Sequence, residues 1–598
     1  MTRSADRAQK SLLWLAAAAV AFAAADTYVV VLALPDMMGS AGIPIDQLQR
    51  AAPIVSGFLL GYVAMLPLIG RIADLRGRVP VLALSLVLFA VGSLVTTLAY
   101  DMPSMVVGRF LQGVGGGGLV PATLALVADL YPEERRGVPL GVVSAVQEIG
   151  SVLGPLLGAV VLAFADWRAI FALNTAVGLL LAAAIRALAR RSPELLDERS
   201  RVLLERGRQK LPRPDLVGGA LLLLVLAAGT LTFLRPPPIL RDVTWGEAFV
   251  PFVTGSRWLT PVGVLTMVAA ALLVLRLLTA ARPLVDLRAW GRAFAEADLI
   301  GSLLLAVALG GVVLAFATAD PKVEVFSDQG LWYLLGALLG ALGLLWHVRR
   351  AEDPIVPRGA LRRTPAWGAL VVSFFVGAAL IAALIDIPLF ARTTVYGDSQ
   401  LLAALVLVRF LVALPIGAVA GGYLLRRWGP GPVTAVGMAL AAVAFVWLST
   451  WGIDALEQWH ATLPLVLGGL GFGLALAPVN AAVLAFTDAG VHGLSSALVV
   501  VARMVGMLVG ISALTTVGLR RYYAEQGDVP PVREVCGGSS RCPEFTLLLK
   551  EAGIAQEQTV FLGAAGCALV AAVLALVLFR SATSVRSADP TALGFPHG

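Results

Sequence analysis

Long apolar segments separated by short polar loops repeat along almost the whole chain. The segments are about 17–25 residues long, which is the length of helix that crosses a bilayer. The sixteen segments cover residues 11–35, 51–70, 79–99, 104–128, 138–163, 168–188, 215–234, 259–280, 296–318, 330–348, 366–390, 401–425, 431–451, 462–486, 494–519 and 558–580. The pattern predicts an all-α polytopic membrane protein with about sixteen transmembrane helices, and fourteen is the alternative.

The composition agrees with a chain whose solvent is the bilayer. Of its 598 residues, 58% are hydrophobic and 14% are charged, and a soluble protein of this length could not bury that much apolar surface. The net charge of +7 does not indicate nucleic-acid binding, because the basic residues are confined to particular short loops.

Positive charge distinguishes the two sides of the membrane. Arginine and lysine cluster in alternate loops, while the other loops hold few bases and several acids. Because basic loops stay in the cytoplasm, we expect a multi-pass cell-membrane protein with both termini cytoplasmic. The basic residues are Arg71, Arg76, Arg78, Arg135, Arg136, Arg186, Arg190, Arg191, Lys210, Arg282, Arg288, Arg292, Arg349, Arg350, Arg362, Arg363, Arg426 and Arg427.

The first segment has features of a secretory signal. Arg3, Arg7 and Lys10 precede the apolar run, and the alanines at 23–25 resemble a cleavage site. The run then continues through Tyr28–Leu34, so we predict an uncleaved first helix rather than a signal peptide.

Cysteines and histidines are too few and too scattered for a metal or redox centre. Neither CxxC nor HExxH occurs among the three cysteines and four histidines. Cys536 and Cys542 flank a turn-rich segment in a long outer loop, where oxidising surroundings favour a disulfide. No nucleophile–base constellation occurs either, so we expect no enzyme activity, no cofactor and no metal.

Three motifs follow one another in the first six segments. The loop at 70–78 contains glycines that permit a tight turn and an aspartate that can pair with a base. The fourth segment contains Arg109, and the fifth contains a run of small residues. The motif residues are Gly70, Asp74, Arg76, Gly77 and Arg78 in the loop, and Gly150, Gly154, Pro155 and Gly158 in the fifth segment.

These motifs, in this order, resemble the major facilitator superfamily. The loop is similar to the signature between its second and third helices, Arg109 matches the arginine of its fourth helix, and the Gly-Pro run is similar to its antiporter signature. A weaker copy of the loop, Gly421–Gly429, lies at the equivalent place later in the chain. Asp26–Pro35 is similar to the drug:proton antiporter branch. Within it, Asp26–Val31, Gln147–Leu156 and Val499–Gly510 are similar to mycobacterial triacylglycerol exporters that work with a periplasmic lipoprotein.

The resemblance implies two six-helix bundles around a central cavity. We place the bundles at 1–190 and 351–598, a cytoplasmic linker at 191–214, and inserted transmembrane helices at 215–350. The branch has two inserted helices, and we count four here. A long extracytoplasmic loop is expected at 521–558, with a helical extension of the last segment at its end.

Ionisable residues within the apolar segments are the candidate proton-coupling and ion-lock residues. Asp26 and Arg109 lie at similar depths in the outer half of the membrane, so a pair between them would offset both burial costs. Glu148 lies near the midplane. Arg503 and Arg409 have depths compatible with Glu148, and the resemblance favours Arg503.

Asp386 is the remaining acid in this group. It lies near the outer end of its segment and could pair with Arg409 or Arg392. Static ion pairs are the alternative to a functional role for all these residues.

The resemblance and the buried charges predict a secondary active exporter that is coupled to protons and moves a triacylglycerol-like lipid outward. Protonation of Asp26 or Glu148 would weaken an ion pair and bias the equilibrium between inward and outward states. A multidrug:proton antiporter and a non-transporting scaffold or sensor are the alternatives. Expected partners are membrane lipids, a lipid or hydrophobic substrate, protons and a periplasmic lipoprotein, with no nucleic acid and a monomeric state.

Overall fold

The computed structural model is built of α-helices, and no strand occurs among the residues that it describes. Those residues are 3–43, 52–193, 215–234, 246–252, 257–281, 283–317, 329–396, 399–527, 529–537 and 542–580. Fifteen helices in this part of the chain are long and apolar enough to cross a membrane. A further helix of 28 residues covers the fifth predicted segment. The prediction of an all-α polytopic membrane protein is confirmed.

The helices are numbered here in chain order. They are α1 (Arg3–Ser40), α2 (Ala52–Arg76), α3 (Arg78–Leu98), α4 (Met102–Leu130), α5 (Gly137–Phe164), α6 (Trp167–Arg191), α7 (Leu216–Leu234), α8 (Pro261–Thr279), α9 (Leu287–Glu296), α10 (Leu299–Ala317), α11 (Gly330–Arg350), α12 (Thr364–Thr393), α13 (Gln400–Trp428), α14 (Pro430–Leu448), α15 (Thr462–Ala485), α16 (His492–Gly527), α17 (Val532–Val535) and α18 (Pro543–Leu578). Short 3-10 helices occupy Glu133–Arg135, Gly246–Phe249, Arg257–Leu259, Ala455–Glu457, Trp459–Ala461 and Ala489–Val491.

Two helix boundaries at equivalent places depend on glycine. Gly77 separates α2 from α3 with a φ of 91°, and Gly429 separates α13 from α14 with a φ of 77°. A residue with a Cβ is strained in this left-handed region. Both boundaries therefore require a glycine, one near the end of the loop motif and the other at the end of its weaker copy.

The two sets of bundle helices have the same packing pattern. In the first set, α1 packs on α5, α2 on α4, and α3 on both α4 and α6. In the second set, α12 packs on α16, α13 on α15, and α14 on both α15 and α18. The order of partners along the chain is the same in both sets, as expected of two related bundles.

The bundles contact each other mainly through α2 with α16 and α5 with α13. Consecutive spans alternate in direction, so the loops that hold most of the arginines lie on one side of the molecule. We call it the arginine-rich side. The turn at Gly77 and the start of α16 both lie there.

The first inserted pair, α7 and α8, contacts the first bundle at one end, and at its other end the two helices are bonded to each other. At one end, the guanidinium of Arg257 lies 3.9 Å from the ring centre of Tyr100, next to α3, and donates a hydrogen bond to the Phe233 carbonyl at 2.7 Å. At the other end, Asp215 accepts a hydrogen bond from the Gly218 amide at 3.0 Å and pairs with Arg276 at 3.1 Å. These bonds lower the pKa of Asp215, the Gly218 amide most strongly.

The second inserted pair, α10 and α11, lies across the interface between the bundles. Helix α10 packs along α2 and contacts α16. After α11 the chain returns to α10, where buried Ile355 contacts Leu305 of α10 and Leu494 of α16. This helix pair therefore touches both bundles, on the seam between α2 and α16.

The stretch predicted as a long loop at 521–558 is mostly helical, so this prediction was wrong in part. Helix α16 continues to Gly527 and α18 begins at Pro543. The helical extension predicted for the last segment is present. We expected it to begin at Leu547, and it begins about one turn earlier, at Pro543. Cys536 and Cys542, in the short connection, form a disulfide with Cα atoms 5.5 Å apart.

Candidate functional site

Asp26 is the centre of a buried polar network formed by four helices of the first bundle. Its Oδ2 pairs with Nη1 of Arg109 from α4 at 2.7 Å. Its Oδ1 accepts hydrogen bonds from the amide groups of Gln112 of α4, at 2.9 Å, and of Asn174 of α6. Gln112 also donates to Ser93 of α3 at 2.9 Å. The structure thus brings Asp26 and Arg109 together and adds three neutral partners that the sequence analysis missed.

Arg109 is held from more than one direction and is completely buried. Its Nη1 also donates to Oε1 of Gln112 at 2.7 Å, and its guanidinium lies 4.4 Å from the ring centre of Phe58 on α2. The Phe171 ring of α6 lies at 5.7 Å. Aromatic faces attract a cation, so both rings stabilise the charged guanidinium of Arg109.

The antiporter-like glycines join this network to α5. A Cβ on Gly150 or Gly154 would collide with the backbone carbonyl of Ala21 or Ala25, next to Asp26 in α1. Gly158 is buried and Pro155 lies within α5. The small residues therefore let α5 and α1 approach to backbone contact. A movement of one helix would then displace the other.

Glu148 and Arg503 occupy similar places on α5 and α16, close to the small residues of each helix. The positive charge of Arg503 interacts electrostatically with the Glu148 carboxylate and with the Tyr62 hydroxyl of α2. No hydrogen bond or ion pair joins Glu148 to Arg503 or to another residue that the structure describes. Glu148 is buried, whereas Arg503 is half-buried and lines a small pocket with Asn480 of α15. The two residues are thus neighbours without direct contact in this conformation.

Asp386 has a different neighbour from the two arginines considered for it. Its carboxyl group lies against that of Glu557 of α18, and both acids are buried. Arg409 instead donates to Thr462 at the start of α15, at 3.1 Å, and Arg392 is exposed. Pairing of Asp386 with either arginine was therefore wrong.

The signature loop closes the arginine-rich side between the bundles. Asp74 is completely buried and accepts hydrogen bonds from the amides of Gly493 and Leu494, at 2.8 and 3.0 Å, which caps the first turn of α16. Arg78 pairs with Asp74 at 2.9 Å and donates to the Ala489 carbonyl at 2.9 Å. One acid and one base of the first bundle thus fasten the beginning of α16.

Neighbouring residues complete this closure. Gly70 lies against the backbone of Gly493, and Gly137 of α5 against that of Gly422 of α13. Arg76, the remaining motif arginine, pairs with Glu296 of α9 at 3.1 Å. Both seams between the bundles are therefore in contact on the arginine-rich side.

An apolar crevice of about 590 Å³ lies where α1, α5 and α13 meet. Its lining is almost free of polar atoms and includes Trp14, Val146, Ile149, Ile416 and Tyr423. Ile149 directly follows Glu148 in the chain. The crevice therefore suits an apolar molecule better than a polar one.

Comparison with known proteins agrees with the fold and the motifs. The chain matches the Major Facilitator Superfamily over residues 16–348 and 324–511. It is 35% identical to the triacylglyceride transporter of Mycobacteroides abscessus over 516 residues, which are 84% of this chain and 81% of that protein. It is 33% identical to the triacylglyceride transporter of Mycolicibacterium smegmatis over 576 residues, 94% of this chain and 86% of that protein.

Solved structures share the fold at low sequence identity. The proton:xylose symporter XylE superposes with a TM-score of 0.51 at 14% identity, over 95% of each chain. The human organic anion transporter MFSD10 superposes with a TM-score of 0.50 at 16% identity, over 95% of this chain and 99% of that one. With a family match over most of its length and relatives above 30% identity, this chain belongs to the major facilitator superfamily and is a multi-pass membrane transporter, not an enzyme.

Proposed function

We propose that this transporter is a proton-coupled exporter of a triacylglycerol-like lipid. The observation that carries the proposal is the buried ion pair of Asp26 and Arg109, set in a helix that touches α5 at backbone distance beside Glu148. An ionisable group in a membrane core is costly and is retained for transport or proton transfer. The lipid rests on the relatives named triacylglyceride transporters and on the apolar crevice.

The arginine-rich side is assigned to the cytoplasm, with both termini there, because basic loops are retained on that side. The contacts of Asp74 with α16 and of Gly137 with α13 then make this conformation the one that is closed to the cytoplasm. Protonation of Asp26 or Glu148 changes the charge balance at the bundle interface, and the change biases the exchange between states. Glu148 meets Arg503 directly in the state that is not seen here.

The competing function is export of cationic drugs by a proton antiport. One observation favours it: the Glu148 carboxylate makes no ion pair with a residue that the structure describes, so a cation could bind it. The crevice that Ile149 lines is almost entirely apolar, which favours a neutral lipid over a cation.

Transport in proteoliposomes separates these functions. Labelled triacylglycerol and a cationic dye are offered to the same preparation, with and without a pH gradient. We expect lipid movement that the gradient accelerates. Transport of the dye without the lipid would identify a drug exporter. If folded protein transports neither compound, a scaffold is favoured.

Replacing Glu148 with glutamine is expected to reduce gradient-driven lipid transport by about tenfold or more. The reason is that residue 148 can then no longer gain or lose a proton at the interface between the bundles. The measurement is initial rate against pH gradient. The matched control is Glu544→Gln on the exposed first turn of α18, which should transport at the wild-type rate. An unchanged rate in Glu148→Gln removes this residue from the coupling.

A further inference from the structure

Asn174 is the one partner of Asp26 that comes from α6. It lies three residues after Phe171, on the same helix face, so Phe171 contacts Arg109 while Asn174 contacts Asp26. Asn174 is 6% exposed, and apart from Thr175 the residues around it in α6 are apolar. A buried amide in a membrane helix has few partners to choose from, so its place beside the acid is informative.

The two amides that donate to Asp26 differ in how firmly they are fixed. Gln112 uses both ends of its amide: Nε2 donates to Asp26 and Ser93, and Oε1 accepts from Arg109. Turning it would break all three bonds. Asn174 donates once, through Nδ2 to Asp26, and its Oδ1 accepts no hydrogen bond within the described part of the chain. An amide group is a donor on one side and an acceptor on the other, so half a rotation of Asn174 breaks one hydrogen bond, not three.

We propose that Asn174 is a positioning residue that follows the protonation of Asp26. Its N–H donates to the carboxylate when Asp26 is charged, and its carbonyl accepts from the O–H when Asp26 carries a proton. The N–H···O bond is thereby exchanged for an O–H···O bond at the same place. The proton is the only species added, and Arg109 remains bound to Gln112 throughout. The inference rests on the proposed function, in which Asp26 carries a proton.

The surroundings of Asp26 support a role for a neutral partner. From α4 it meets Arg109, the charged group that binds it in the described part of the chain. From α5 it meets the seam of Gly150 and Gly154, which carries no charge, and from α6 it meets Asn174. A second fixed charge here would favour one protonation state, whereas a reversible amide serves both.

The test uses two substitutions at this position in the full-length protein. Asn174→Leu keeps the branching at Cγ and removes both hydrogen-bonding groups. Asn174→Thr introduces a hydroxyl that can donate or accept a hydrogen bond. Because a bond to a charged group is stronger than one to a neutral group, the leucine variant is expected to move the pH of half-maximal transport to higher pH by about half to one unit. The threonine variant should return it toward the wild-type value.

Infrared difference spectra between high and low pH give a readout that a structural role would not move. We expect the wild type to show a carboxylic-acid C=O band together with a change in an amide C=O band. The amide band should be lost in Asn174→Leu, and both bands in Asp26→Asn. If the leucine variant does not fold, the wild-type amide band and the threonine variant decide the outcome.

The results separate two failures. If Asp26→Asn transports lipid with the wild-type pH dependence, the proposed proton coupling through Asp26 is wrong. If Asp26→Asn behaves as proposed but Asn174→Leu keeps the wild-type midpoint and amide band, only the inference about Asn174 is overturned. An absent amide band in the wild type also overturns it.

Discussion

Replacing Gly70 with alanine is expected to lower transport by about tenfold or more by preventing closure of the arginine-rich side. A Cβ at this position would lie 2.6 Å from the carbonyl oxygen of Gly493 and 3.0 Å from the Cβ of Ala497. The nearest atom belongs to the backbone of α16, so it cannot turn away as a side chain would. Overpacking of this kind costs about 1–3 kcal/mol, and such a bias changes a two-state ratio by about 5–150-fold.

The added methyl group destabilises only the state that is closed on the arginine-rich side. In the closed state α2 and α16 touch at Gly70, whereas in the state open on this side they separate and the added methyl group has room. We therefore expect a folded protein whose population has moved to the open state. Spin labels at exposed Glu133 and Asp488, one on each bundle, should report longer distances than in the wild type.

Gly490 supplies the matched control. It lies three residues before Gly493 on the same side of the molecule, and a Cβ there meets no atom within 4 Å. Gly490→Ala should leave both the spin-label distance and the transport rate unchanged. Wild-type distances and rates in Gly70→Ala would contradict the gate described here.

The helices and the ion pair of Asp26 and Arg109 could be predicted from the sequence because each depends on local information. Apolar length identifies the spans, and depth along a helix placed Asp26 and Arg109 at the same level. Depth does not give the direction in which a side chain points around the helix. For that reason Arg409 was matched with Asp386, although Arg409 contacts Thr462 and Asp386 contacts Glu557.

Glu557 and Asn174 were missed for different reasons. Glu557 was assigned to the helical extension of the last segment, outside the membrane, because the last apolar segment was predicted to begin at 558, and it was therefore not considered as a partner of Asp386. Asn174 carries no charge, so it was not among the ionisable residues considered. Its signal was a polar amide within a membrane-spanning helix, which is costly unless a partner is present.

The contacts of the signature loop could not be read from the chain. Asp74 and the amide of Gly493 are 419 residues apart in sequence, and the helix-capping bond depends on how the two bundles meet. The motif identified the loop as important, and the packed structure is needed to say that its aspartate binds the first turn of α16.

Replacing Asp26 with asparagine is expected to abolish gradient-driven transport and to lower the thermal stability of the protein. The substitution leaves Arg109 charged, buried and without its counter-ion. Removing one partner of a buried ion pair costs about 3–5 kcal/mol, and the remaining bond to Gln112 and the face of Phe58 do not neutralise the charge. The measurements are the lipid transport rate and the unfolding temperature in the same detergent.

A double variant separates stability from function. Asp26→Asn combined with Arg109→Met removes both charges, so the unfolding temperature should rise toward the wild-type value, since replacing a buried pair by neutral groups is often nearly neutral. Transport should remain absent, because the site can no longer gain and lose a proton. Asp36→Asn, an exposed acid on the same helix, is the control and should match the wild type in both measurements. Transport by the double variant at the wild-type rate would show that the ion pair serves only to hold α1 against α4, and the coupling would then have to be sought at Glu148.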